Sequence, residues 1–154
     1  MRMIKVIILG LLLSLGSLVA AEQKVVFDLT TDDADKIEKN IVRTINGLVS
    51  YYEANEIEYS IVVVISGKAY KYFVEDLKNS PYKGKMKVAR AQTKLAPQLQ
   101  KLHDKGVEFD MCQAGMKMHG IEKKVLYNYV VTTKNKSVYL IQWQNRGYAY
   151  LPVH

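Results

Sequence analysis

Within the stretch Ile57 to Ile65, five consecutive residues, Ile61-Val62-Val63-Val64-Ile65, are apolar on successive positions instead of alternate ones. A strand with one wet face alternates with period two, so an unbroken β-branched run reads as a strand buried on both faces. Such a strand requires helices above and below a largely parallel sheet. The flanking sequence supplies them. Lys24 to Leu29 has strand composition, and Thr30-Thr31-Asp32-Asp33 after it offers helix caps. Ile37, Ile41, Ile45, Leu48, Val49 and Tyr52 then recur at helical spacing, which predicts a helix from about Asp33 to Ala54.

Beyond Gly67, Ala69, Tyr72, Phe73 and Leu77 fit a short amphipathic helix ended by Asn79-Ser80-Pro81. Lys78 to Lys94 carries Lys78, Lys83, Lys85, Lys87, Arg90 and Lys94 without an acid and reads as an exposed loop, either a solvated surface or an anion-binding lid. Pro97 is placed to open a helix with Leu99 and Leu102 inward and Gly106 as its stop. Val107-Glu108-Phe109-Asp110-Met111 alternates and delivers Cys112 to a strand end. Gln113 to His119 then forms a short helix closed by Gly120. Tyr129-Val130-Val131 is a fourth strand. Asn135 or Ser137 caps a helix carrying Val138, Ile141 and Trp143 inward, and Tyr148 to Leu151 is a last strand before Pro152. Alternating strands and helices at this size predict an α/β three-layer sandwich with a mainly parallel sheet of about five strands and right-handed crossovers.

The N-terminus reads differently. Met1-Arg2-Met3-Ile4-Lys5 is a positive n-region, Val6 to Val19 an apolar h-region diluted by Ser14, Gly16 and Ser17, and Val19 and Ala21 suit the small-residue positions before a cut. The run is shorter than the roughly 20 residues of a membrane span, so residues 1–21 are expected to be a signal peptide, cut after Ala21 or after Ala20, and residues 22–154 one exported, periplasmic domain. No cysteine follows the h-region to accept a lipid. The remainder contains no membrane-length apolar segment, so the mature chain is expected to be soluble, with no membrane partner after cleavage. The formal net charge is +7, and losing Arg2 and Lys5 leaves the chain basic. Outside the cytoplasm that balance suits anionic lipid, cell-wall polymers or small anions, and nucleic acid is not an expected partner.

Cys112 is the single cysteine. It cannot form an internal disulfide, so in an oxidising compartment it is buried, paired with another molecule, or chemically employed. At the carboxyl end of a parallel strand, before a helix N-terminus and near Lys117, its thiol pKa is expected to fall below about 8.5, which would suit a persulfide. The alternative is a small buried apolar residue. Gln113, Ala114 and Gly115 offer backbone N–H groups to an anion, and with Lys117 they form the candidate ligand-binding set. His119 lies two helical turns from Cys112, roughly 10 Å along the axis, too far for a direct thiol contact. His103 suits a helix C-terminus. Asp28, Asp32 and Asp33 are explained by capping, and the tyrosines either build a subunit interface or line core edges. No His/Cys/acid spacing matches a zinc site, no Walker loop, dinucleotide fingerprint or serine elbow is present, and no cofactor is expected.

The segment Val107 to Cys112, then Gln113 to His119 and Gly120-Ile121, resembles the strand, cysteine, short helix and Gly-hydrophobic ending of the DsrE/DsrF-like family. Lys24 to Leu29, Leu99 to Gly106, and Gln144-Asn145-Arg146-Gly147-Tyr148-Ala149-Tyr150-Leu151 are similar to its exported branch. The resemblance implies a small α/β fold assembled as a homo-oligomer, a trimer or hexamer. It also implies a role in sulfur relay between a donor and an acceptor protein, with Cys112 as the sulfur-accepting cysteine. This chain departs from the pattern in its export signal and in His119, which stands where the family often has arginine. The expected function is therefore a periplasmic protein that binds or relays sulfur as a persulfide, a carrier more than a turnover enzyme. The alternative is a non-catalytic oligomeric module that binds a small anion.

Overall fold

The computed structural model describes residues 21–154, so the expected signal peptide, apart from its last residue Ala21, lies outside the described residues. Five strands form one parallel sheet in the order β4-β3-β2-β1-β5: β1 Gln23–Leu29, β2 Tyr59–Ile65, β3 Glu108–Cys112, β4 Val130–Thr133 and β5 Ala149–Val153. All of Ile61 to Ile65 is buried, as a strand covered on both faces must be. The two cores are unequal. On one face Phe27, Leu29, Ile61, Val63, Ile65, Phe109 and Met111 pack against the helices that connect β1 to β2 and β2 to β3. On the other, Val26, Val62 and Val64 meet only Leu140, Trp143 and Tyr148.

The first connection is capped by Asp33, whose carboxylate accepts from the N–H groups of Asp35 and Lys36 at 2.9 and 3.2 Å. It continues as α1 Ala34–Ile37, a π-helical turn Glu38–Arg43 and α2 Thr44–Ala54, with Ile37, Ile41, Ile45 and Val49 buried. The expected helix is thus present, with a wider central turn. After β2 the expected short amphipathic helix is a 3₁₀ turn, Gly67–Phe73, with Ala69, Tyr70, Tyr72 and Phe73 inside and Gly67 and Lys68 exposed.

The exposed basic loop is shorter than expected, because α3 begins at Met86 and runs to Asp104 with Pro97 inside it. A proline within a helix costs about 3 kcal/mol through a lost hydrogen bond and a ring clash. Burial of Val88, Gln92, Leu95, Leu99 and Leu102 along one stripe outweighs that cost and carries the helix through. Gln92 also donates to the carbonyls of Lys71 and Val74 at 2.8 and 2.6 Å, which ties α3 to the 3₁₀ turn.

Helix α4, Gln113–Met118, follows β3 directly, and α5, Lys136–Asn145, carries the chain from β4 back across the sheet to β5. A right-handed crossover in that direction must use the opposite face from α2 and α3, and α5 packs there. Asn135 caps α5, accepting from the N–H of Ser137 at 2.9 Å. The inward residues of α5 are Leu140 and Trp143. Val138 and Ile141, expected inside, are 50% and 57% exposed, because one short helix on a wide sheet face can bury only one stripe. Pro152 lies within β5 and is tolerated there as an edge-strand residue. Among the described residues no helix is long and apolar enough to cross a membrane, and no group of three or more His, Cys, Asp or Glu is placed to hold a metal.

Candidate functional site

Phe109 and Met111 point into the larger core, so strand alternation sends Asp110 toward the α5 side, while Cys112, where the strand ends, still packs against the larger core. Cys112 ends β3 and stands at the N-cap of α4, with φ −70° and ψ 112°. Parallel register sets Thr133 beside it, and α5 begins three residues later. The thiol therefore sits where two helix starts converge. Burial, which leaves Cys112 only 6% exposed, pushes the thiol up. Backbone N–H groups of Gly115 and Lys136, the Tyr70 hydroxyl and the Ala114 N–H outweigh burial and hold it below the ordinary thiol value.

Tyr70 is the brace of this arrangement. It arrives on the 3₁₀ turn after β2, is 1% exposed, and its hydroxyl donates to the Cys112 carbonyl at 3.2 Å. Burial, together with repulsion from the neighbouring thiolate, pushes its own phenol well above the usual tyrosine range, so it stays a proton donor at every pH at which the thiol ionises. The Tyr70 ring also lies 5.4 Å, centroid to centroid, from that of His119.

The expected ligand-binding residues separate into distinct roles. Gln113 is exposed, donates to the Thr132 hydroxyl at 2.9 Å, and stands between two cavities. One, of about 440 Å³, is lined by Met116, Lys117, Gly120 and Ile121; the other, of about 500 Å³, by Thr133, Lys134, Asn135 and Tyr139. Lys117 thus borders a cavity, whereas Ala114 and Gly115 line neither and act on the thiol electrostatically, their N–H groups lowering it. The sequence reading missed Lys136, Tyr70 and Thr133. Thr133 is 2% exposed and its Oγ1 has no hydrogen-bond partner, a donor beside the cysteine that the protein leaves unused.

Two carboxylates lie one row below on the same face, since Asp28 pairs in register with Val64 and Val64 with Asp110. Asp28 has more than a capping role: Lys136 Nζ meets Oδ1 at 2.8 Å and the Tyr150 hydroxyl donates to Oδ2 at 2.9 Å. Asp110 is 1% exposed and, among the described residues, has no ion-pair partner. Burial pushes its carboxyl up to about 6, repulsion from Glu108 adds to that, and the Trp143 indole offsets it in part.

A parallel sheet and a cysteine at the carboxyl end of an interior strand, where the starts of two helices meet, define a small α/β protein with a thiol at the functional edge of its sheet. The DsrE/DsrF-like family model matches residues 24–153, nearly all of the described chain, and the protein belongs to that family. A solved protein of unknown function from Methanobacterium thermoautotrophicum has a similar fold. Its TM-score is 0.66 at 18% sequence identity, over 84% of this chain and 98% of that one. No curated protein matches the sequence.

Proposed function

We propose that this protein carries sulfur as a persulfide on Cys112, as a relay between a donor and an acceptor. The observation behind this reading is that Cys112, although buried, has a thiol lowered by the N–H groups of Gly115, Lys136 and Ala114 and by Tyr70. Those donors favour the thiolate, and they equally favour the terminal sulfur of a persulfide, which is also an anion. In thiosulfate, the Cys112 thiolate attacks the sulfane sulfur; a new S–S bond forms, the old one breaks, and sulfite leaves with its electron pair. Membership of a family associated with sulfur relay supports the reading. The site works outside the cytoplasm, in the periplasm, after the leader at residues 1–21 is removed. The working form is a homo-oligomer, a trimer or hexamer, a reading supported by the exposed Val131, Val138, Ile141 and Leu151.

The burial of Cys112 favours a second reading, an anion-binding module with an unreactive thiol. The pH dependence of Cys112 alkylation, with mass spectrometry after exposure to polysulfide or thiosulfate, separates the two. Sulfur transfer requires a thiol pKa below about 8.5 and a sulfur-sized mass gain that Cys112→Ser abolishes. An inert thiol without an adduct rules the relay out.

A further inference from the structure

We propose that the basic rim formed by the start of α3 and the end of α4 docks the protein on an anionic lipid surface. No Asp or Glu occurs between Asp76 and Asp104. Among the described residues, Lys83, Lys85, Lys87, Arg90, Lys117 and Lys123 form no ion pair, while Asp76 is engaged with Asn79 and Glu122 with Lys124 at 2.8 Å, which leaves Glu75 as an exposed acid at the edge of the field. Within this field stand two exposed apolar side chains, Met86, 64% exposed, and Met118, 85% exposed. Met86 borders an apolar slot of about 340 Å³ together with Leu77, Tyr82 and Ala89, ringed by Lys78, Lys83 and Lys85. The two halves adjoin, because a Cβ placed on Gly120 would lie 3.7 Å from Cγ of Pro81.

Charge decides the class of partner, and the distribution of apolar surface decides between a protein and a bilayer. A stable protein interface buries roughly 800 Å² per partner around a contiguous apolar centre, more than one narrow slot and two exposed methionines offer. Basic side chains spread around single apolar tips suit mobile anionic headgroups, with the cations at the surface and the methionines just below it. Such contact needs no spanning segment. It is independent of whether Cys112 carries sulfur, although Lys117 borders both regions.

Co-sedimentation of the purified protein with phosphatidylglycerol/phosphatidylethanolamine vesicles, against phosphatidylcholine vesicles, tests the proposal. Binding at low salt should be at least about tenfold tighter to the anionic vesicles and should fall as salt shortens the Debye length. The quadruple variant Lys83→Glu, Lys85→Glu, Lys87→Glu, Arg90→Glu should lose about tenfold or more, and reversal of Lys101 and Lys105 should lose far less. Met86→Ser with Met118→Ser should weaken binding while keeping its salt dependence, and this pair decides the matter if circular dichroism shows the quadruple variant unfolded. Equal binding to neutral vesicles, no binding at low salt, indifference to these substitutions, or tighter binding to polyglutamate than to vesicles would overturn it.

Discussion

The hydroxyl of Tyr70 occupies the space a side chain at position 115 would need: a Cβ built on Gly115 would lie 1.8 Å from Tyr70 Oη and 2.6 Å from Cζ. Gly115 therefore lets the tyrosine reach the cysteine. Gly115→Ala must displace a fully buried ring, an overpacking change that costs about 1–3 kcal/mol despite alanine's better helix propensity. Urea denaturation should show that loss, together with a raised Cys112 pKa, because one N–H and the Tyr70 hydroxyl shift at once. A more stable variant with an unchanged thiol would refute the packing argument.

Tyr70→Phe isolates the hydroxyl. The ring and its packing stay, and the Cys112 carbonyl loses a donor at 3.2 Å, which costs about 1 kcal/mol. The thiol should titrate higher and alkylate more slowly near neutral pH, because one of the donors that lower it is gone. An unchanged alkylation profile would mean that the backbone N–H groups alone set the thiolate.

Much of this site was legible because its parts are local. The alternation of Val107, Phe109 and Met111 placed Cys112 at a strand end, and the unbroken Ile61 to Ile65 run required helices on both faces. What escaped is long-range or side-chain-independent. Tyr70 is 42 residues from Cys112, and nothing in its own neighbourhood marks it out from the other tyrosines. Lys136 serves the thiol through its backbone N–H, which carries no residue signature at all. Pro97 was misread because its preference for a helix start is a local rule, whereas the core stripe from Val88 to Leu102 spans the proline and prevails. Helix α5 gave the wrong inward face for a related reason. Val138, Leu140, Ile141 and Trp143 surround the helix, and only the sheet selects Leu140 and Trp143.

Asp110 makes stability fall with pH. Its folded pKa, about 6, is above the ordinary 3.8, so between those values the folded state holds more proton than the unfolded one and unfolding becomes easier as pH rises. The penalty is absent below about pH 4, grows to pH 6 and is constant above. Asp110→Asn should therefore be more stable than the parent by about 3 kcal/mol at pH 7.5, with the advantage vanishing toward pH 4. Thermal denaturation of both proteins across that range gives the difference, and a constant difference would show that Asp110 does not titrate there.

Lys136 serves two sites, its N–H facing Cys112 and its ammonium meeting Asp28, so the ion pair anchors the very turn of α5 that lowers the thiol. Lys136→Met leaves a carboxylate that is only 4% exposed with the Tyr150 hydroxyl as its one remaining side-chain donor, at a cost of about 2–3 kcal/mol. Asp28→Asn in the same chain removes the uncompensated charge, and the double variant should recover at least half of that loss, a coupling that a packing defect would not produce. The thiol discriminates further. If the ion pair positions the start of α5, Cys112 titrates higher in both variants, since neither restores the anchor. If Lys136 acts on Cys112 only through its N–H, the thiol stays where it was while stability falls and returns.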